Sequence, residues 1–74
     1  MEHLFITQLS VNGQQTDYEV VFADETYHFR PKDQTAPVIR ARREQDEWHV
    51  ESPVADALRE EALGKLDTYL LSQH

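Results

Sequence analysis

Apolar and polar residues alternate along the first third of the chain, as is typical of β-strands with one buried face. The odd positions of residues 5–11 are Phe, Thr, Leu and Val. Asn12-Gly13 follows, and this pair favours a type I′ hairpin turn because both residues tolerate positive φ. A two-residue turn sets the register of the hairpin, and it predicts that Phe5 lies opposite Val20.

A second hairpin and two later strands continue the alternation. Pairing Phe22 with Tyr27 aligns the apolar residues of the second and third strands, and the same register puts Glu19 opposite Arg30. Such opposite-charge cross-strand pairs contribute about 0.2–1 kcal/mol each. In the same way Asp17 is expected opposite Lys32 and Arg40 opposite Glu51. The predicted strands cover residues 3–11, 14–22, 26–31, 38–43 and 48–51.

The C-terminal part of the chain changes to a helical period. Ser52 is a suitable N-cap and Pro53 fits the first helical position, so the predicted helix covers residues 53–72. At 100° per residue, one half of this helix is apolar. The residues of that half are Val54, Ala55, Leu58, Ala62, Leu63, Leu66, Tyr69 and Leu70.

These elements predict an α+β fold. An antiparallel β-meander of four to five strands packs on one C-terminal α-helix as a two-layer sandwich, within a single domain of residues 1–74. A small open barrel plugged by the helix is the alternative. The expected core of the sheet is Phe5, Leu9, Tyr18, Val20, Phe22, Tyr27, Phe29, Ile39, Ala41, Trp48 and Val50.

Composition narrows the class of protein. The 74 residues include no cysteine, which excludes disulfides and thiolate metal sites. No apolar run reaches the length of about 18 residues that a membrane helix needs. The N-terminal residues lack the basic segment of a secretory signal, so a cytoplasmic protein without a membrane partner is expected. The net charge is −7, yet residues 26–43 carry five basic side chains against one acidic.

This basic segment predicts a candidate anion-binding surface. Alternation places Arg30, Arg40 and Arg42 on the outer face of the sheet, with Arg43 at the strand end. A cationic sheet can follow a phosphate backbone. However, the acidic cross-strand partners neutralise much of this charge, the face lacks stacking aromatic residues, and the net charge repels polyanions. Nucleic acid is therefore not the expected partner, and a solvated charged face is the simpler interpretation.

A second candidate surface is apolar. The hairpin register pairs Leu4 with Val21 on the outer face, with Ile6 beside them. Leu63 and Leu71 lie at the edges of the helical stripe. Because a small domain gains stability by association, these five residues predict a surface for a homodimer or for another protein.

The sequence offers little for catalysis or metal binding. His28 and His49 can approach each other on the outer face, but a zinc site needs at least one further protein ligand. His3 and His74 lie at the two ends of the chain. No catalytic residue, metal or cofactor is expected. The predicted function is a non-enzymatic, self-associating interaction module, with anion or nucleic-acid binding through the basic face as the alternative.

Overall fold

The computed structural model describes residues 1–73. Five antiparallel strands form one open sheet in the order β1-β2-β3-β4-β5, and a single C-terminal helix packs on one face of it. The predicted α+β fold is confirmed. β1 and β5 are the two ends of the sheet, so the sheet does not close into a barrel. The elements are β1 (Glu2–Val11), β2 (Gln14–Ala23), β3 (Thr26–Pro31), β4 (Ile39–Glu44), β5 (Glu47–Val50) and α1 (Asp56–Ser72).

Three two-residue turns connect the hairpins, and both central residues of each turn have positive φ. This is the backbone of a type I′ turn, whose twist matches that of the strands. Only the first turn has the favourable Asn-Gly sequence. The φ values are 52° and 81° for Asn12 and Gly13, 53° and 60° for Asp24 and Glu25, and 51° and 65° for Gln45 and Asp46.

The predicted hairpin registers are confirmed, apart from the first residues of β1. Phe5 lies opposite Val20, and the same register continues to the turn. A β-bulge between His3 and Phe5 shifts the pairing, so that His3 and not Leu4 lies opposite Val21. The predicted Leu4–Val21 pair is therefore wrong. A bulge turns the extra side chain toward the face of its neighbour, and Leu4 packs against the core beside Phe5.

The core lies between the sheet and the helix. Tyr18 is its largest fully buried residue, and its hydroxyl donates a hydrogen bond of 2.7 Å to the carbonyl of Pro37. Burial raises the pKa of this phenol, which keeps it protonated as a donor. Phe22, predicted in the core, lies at its margin, where its ring meets Tyr27 at a tilt of 51°. The buried core residues are Leu9, Tyr18, Val20, Phe29, Ile39, Ala41, Leu58, Ala62 and Leu66.

The helix begins at Asp56, three residues later than predicted, because Ser52 has another partner. The Ser52 hydroxyl accepts a hydrogen bond of 3.1 Å from the backbone amide of Arg40, and Glu51 donates its amide to the Arg40 carbonyl. The Glu51–Arg40 bond continues the β4–β5 pairing by one residue, and the Ser52 side chain takes the Arg40 amide. Ala55 is left as the N-cap, where it provides no side-chain hydrogen bond.

The helix runs antiparallel to β1. Near its start, the Glu61 carboxylate accepts a hydrogen bond of 2.7 Å from the Ser10 amide. Near its end, the Tyr69 ring stacks on Phe5 with 4.6 Å between ring centroids. Contacts at both ends of β1 thus hold α1 over that side of the sheet.

Turn geometry generates a stability prediction. Gly13→Ala is expected to lower the free energy of unfolding by about 1 kcal/mol, because alanine is strained at positive φ. Glu25→Gly is expected to raise it by about 0.5–1 kcal/mol, because glycine relieves that strain. Urea unfolding followed by circular dichroism measures both changes.

The matched control is Gly64→Ala on the helix. An added Cβ at Gly64 meets no atom within 4 Å, so helix propensity predicts a gain of up to about 1 kcal/mol. If Gly13→Ala raises the free energy of unfolding as Gly64→Ala does, residue 13 does not have a positive φ in solution.

Candidate functional site

The outer face of the sheet, opposite the helix, carries the basic residues of β3 and β4. Arg30, Arg40 and Arg42 lie there as predicted, since Phe29, Ile39 and Ala41 between them are buried on the other face. His28 lies directly opposite Arg40 in the β3–β4 register. A group of basic side chains from β3 and β4 therefore shares this part of the face. Its members are Arg30, His28, Arg40 and Arg42.

The acidic residues of β2 do not neutralise this group as expected. Glu19 lies opposite Arg30 in the register, but its carboxylate is 3.4 Å from the His3 ring on β1. Asp17 likewise accepts a hydrogen bond of 2.9 Å from the Gln8 side chain instead of meeting a lysine. The predicted cross-strand register is right, whereas the predicted ion pairs do not form.

At the β4–β5 end of the sheet, the arginine that forms ion pairs with carboxylates is Arg42. Its guanidinium is 2.9 Å from Glu44 and 3.6 Å from Glu51. Glu51 was expected to pair with Arg40 and does not. Within residues 1–73, neither Arg30 nor Arg40 has a carboxylate within 4 Å, so their charges face solvent.

A shallow hollow of about 340 Å³ lies beside Arg30 and His28. Val21 lies on this outer face and yet is only 2% exposed, whereas Val38 at the rim is 48% exposed. The Arg30 guanidinium is 3.3 Å from the sulfur of Met1 across this area. The hollow thus combines an apolar lining with the side chains of Arg30 and His28 and, at the β2–β3 turn, the acidic Asp24.

Arg43 does not belong to the basic outer face. It lies two residues after the buried Ala41 and therefore on the helix side of the sheet. Its guanidinium is 5.2 Å from the centroid of the Trp48 ring and 3.7 Å from Asp67 on the helix. The Trp48 indole donates a hydrogen bond of 3.1 Å to the same Asp67 oxygen. This arrangement, the Trp48–Asp67 clasp, ties the end of the sheet to α1.

The five residues of the predicted apolar surface do not come together. Leu4 and Leu63 pack against the core, and Val21 is buried on the outer face. Ile6 is 58% exposed and Leu71 is 74% exposed, but Ile6 lies on the outer face of the sheet and Leu71 near the end of the helix. Of these five residues, Ile6 is therefore the one that lies on the sheet and is exposed.

The free edge of β1 is a feature that the sequence analysis missed. β1 is the first strand of the sheet, and within residues 1–73 β2 is its only strand neighbour. The one signal in the sequence is the absence of charge from Leu4 to Thr16, the longest uncharged run in the chain. A groove of about 340 Å³ lies beside this edge, between β1 and α1. Its lining residues are Phe5, Thr7, Lys65, Thr68, Tyr69 and Ser72.

The described residues show no cluster of three metal-binding side chains. In the part of the chain from residue 1 to 73, no helix has the length and apolar character needed to cross a bilayer. His28 and His49 lie opposite different arginines, Arg40 and Arg42. His74 lies outside the described residues.

Comparison with known proteins gave no match. No protein-family model matches the chain, and neither a curated protein nor a solved structure is similar enough to match it. The function is therefore inferred from the chemistry of the surface.

The Trp48–Asp67 clasp generates a prediction. Asp67→Ala removes the acceptor of the indole hydrogen bond, so we expect the free energy of unfolding to fall by about 1 kcal/mol. The fluorescence maximum of Trp48, the only tryptophan, is expected to shift to the red. Glu60→Ala, an exposed acid of the same helix, is the control and should change neither property. Equal effects of the two substitutions would contradict the clasp.

Proposed function

We propose that this chain is a non-enzymatic, cytoplasmic protein-interaction module that associates with a second copy of itself through the β1 side of the sheet. The exposure of Ile6 carries the proposal. Ile6 is a large aliphatic residue, 58% exposed on a strand that has no second strand neighbour within residues 1–73. Full burial of an exposed aliphatic side chain contributes about 1.5–3 kcal/mol, and Ile6 has somewhat more than half of its surface left to bury.

The distribution of charge supports the same side. A net charge of −7 makes two copies repel each other. The repulsion is smallest where the uncharged run of residues 4–16 forms the surface. Two copies that meet at β1 therefore bring together backbone, aliphatic and amide groups and few carboxylates.

The hydroxyl groups support a non-enzymatic role. Among the described residues, every serine or threonine hydroxyl that forms a hydrogen bond does so with a backbone, amide or carboxylate group and none with a histidine. A serine or threonine nucleophile needs an adjacent base to be activated. These hydroxyls bond in turns, near strand ends and in the last turn of the helix instead.

Sedimentation equilibrium tests the self-association. The wild-type mass is expected to rise above 8.7 kDa as concentration increases. Ile6→Lys should remain at the monomer mass, because a charge at the edge of a sheet opposes pairing. Leu71→Lys, a control at another exposed apolar residue, should behave as the wild type does. A wild-type mass of 8.7 kDa at every concentration would remove the proposal.

Anion binding through the outer face is the second candidate function. The observation in its favour is that Arg30 and Arg40 face solvent without carboxylate partners in residues 1–73. Arg30 lines the shallow hollow together with His28, and Arg40 lies opposite His28 in the strand register. Arg42 and Arg43, which the sequence analysis included, are engaged by acidic residues. The candidate site therefore reduces to Arg30 and Arg40.

A titration with a fluorescently labelled single-stranded RNA at low salt tests this second function. Binding is expected to weaken steeply as salt increases, since phosphate contacts release counterions. The double variant Arg30→Ala and Arg40→Ala should lose binding, and Arg42→Ala, whose charge is already paired, should retain most of it. Absence of binding at tens of micromolar protein would exclude this function for polyanions.

A further inference from the structure

The direction of the backbone groups along β1 follows from its turn. Val11 and Gln14 flank the type I′ turn as a hydrogen-bonded pair, and such pairs alternate with non-hydrogen-bonded pairs along an antiparallel ladder. The odd residues of β1 therefore bond to β2. Ile6, Gln8 and Ser10 direct their N–H and C=O groups away from the sheet. The bond from the Ser10 amide to Glu61 agrees with this direction.

The free part of the edge is short and well defined. At one end, the Ser10 amide already donates a hydrogen bond of 2.7 Å to the Glu61 carboxylate. At the other end, the bulge at Leu4 interrupts the regular ladder. Between them, the outward backbone groups of Ile6 and Gln8 have no hydrogen-bond partner within residues 1–73. Two donors and two acceptors are thus available side by side.

The middle of this edge lacks the usual protection against pairing. Proteins protect edge strands with lysine, proline, inward-pointing charges, bulges or a covering helix. β1 has a bulge at Leu4 and the Glu61 carboxylate at Ser10, but residues 5–9 between them include no lysine, proline or charged residue. The opposite edge, β5, has only four residues, and the Trp48–Asp67 clasp ties it to the helix.

We propose that β1 pairs edge to edge with β1 of a second copy, antiparallel, about a two-fold axis at Thr7. In this register Ile6 of each copy exchanges two hydrogen bonds with Gln8 of the other, and all four outward groups of each copy are satisfied. An axis at Gln8 would instead pair Ile6 with Ser10 of the other copy, and the Ser10 amide already donates its hydrogen bond to Glu61. The register thus follows from which groups are free.

The proposal rests on the proposed self-association and names its surface. The two sheets become one continuous sheet with both helices on the same side. On the outer face, Ile6 of each copy is a diagonal neighbour of Ile6 of the other, so the two exposed side chains cover one another. On the inner face, Thr7 faces Thr7 across the axis beside the groove that Lys65 and Tyr69 line.

A second copy fits this edge better than an unrelated strand does. The same four groups are both the donors and the acceptors, so a two-fold axis makes the edge complementary to itself. The uncharged stretch also allows two chains of net charge −7 to approach. If the edge instead binds an unrelated extended segment, the purified protein stays monomeric, and sedimentation distinguishes the two occupants.

Disulfide trapping tests the register, because the wild type has no cysteine. Thr7→Cys places two thiols across a non-hydrogen-bonded pair, whose Cβ atoms are about 4.5–5.5 Å apart, close enough for a bond with small adjustments. Mild oxidation is expected to give mostly covalent dimer. Ser10→Cys is the matched control on the same strand. Its two copies would lie about 20 Å apart, six residues out of register, and should remain mostly monomeric.

A proline substitution tests the edge hydrogen bonds. Gln8→Pro removes an outward N–H group that has no partner among residues 1–73, and proline is tolerated at such edge positions. Gln8→Ala is the control, since it also loses the Gln8–Asp17 side-chain bond of 2.9 Å but keeps the N–H group. We expect Gln8→Pro to weaken dimerisation at least tenfold in sedimentation, and Gln8→Ala to weaken it much less.

The outcomes separate the two proposals. A monomeric wild type overturns both the self-association and the edge pairing. A wild-type dimer that persists in folded Gln8→Pro, or equal trapping of Thr7→Cys and Ser10→Cys, overturns the edge pairing alone and leaves another surface as the contact. If Gln8→Pro does not fold by circular dichroism, the comparison of the two cysteine variants decides.

Discussion

The type I′ turn at Asn12-Gly13 sets the register on which the rest of the structure depends. It makes the odd residues of β1 face the helix, so that Leu9 enters the core and Phe5 stacks on Tyr69. The same register directs the backbone of the even residues toward solvent. The core and the free edge therefore have one origin, and a shift of one residue would exchange the buried and exposed faces together.

The two edges of the sheet are stabilised in different ways. β5 is short, and Asp67 of the helix binds the indole of Trp48 beside the Arg43 guanidinium. β1 is longer, and the helix reaches its edge directly at Ser10, through Glu61. In a chain of 74 residues, whose core is necessarily small, one helix cannot cover a five-stranded sheet and both of its edges.

Local competition decides which charges on the outer face are paired. Glu19 on β2 has Arg30 on one neighbouring strand and His3 on the other, and its carboxylate lies beside the His3 ring. Arg42 has two acidic neighbours, whereas Arg40 has none within 4 Å in residues 1–73. Exposed ion pairs differ in energy by less than about 1 kcal/mol, so cross-strand register alone does not determine the partner.

The sequence by itself determined the meander, its registers and the C-terminal helix, because alternation, turn chemistry and helical period act between residues close in the chain. It also identified Ile6 as an exposed apolar residue. Only the tertiary structure decided the bulge at Leu4, the ion pair of Arg43 with Asp67, the hydrogen bond of Ser52 to β4 and the carboxylate of Glu61 on the β1 edge. Each depends on a contact between elements or on strand pairing, and periodicity carries no information about such contacts.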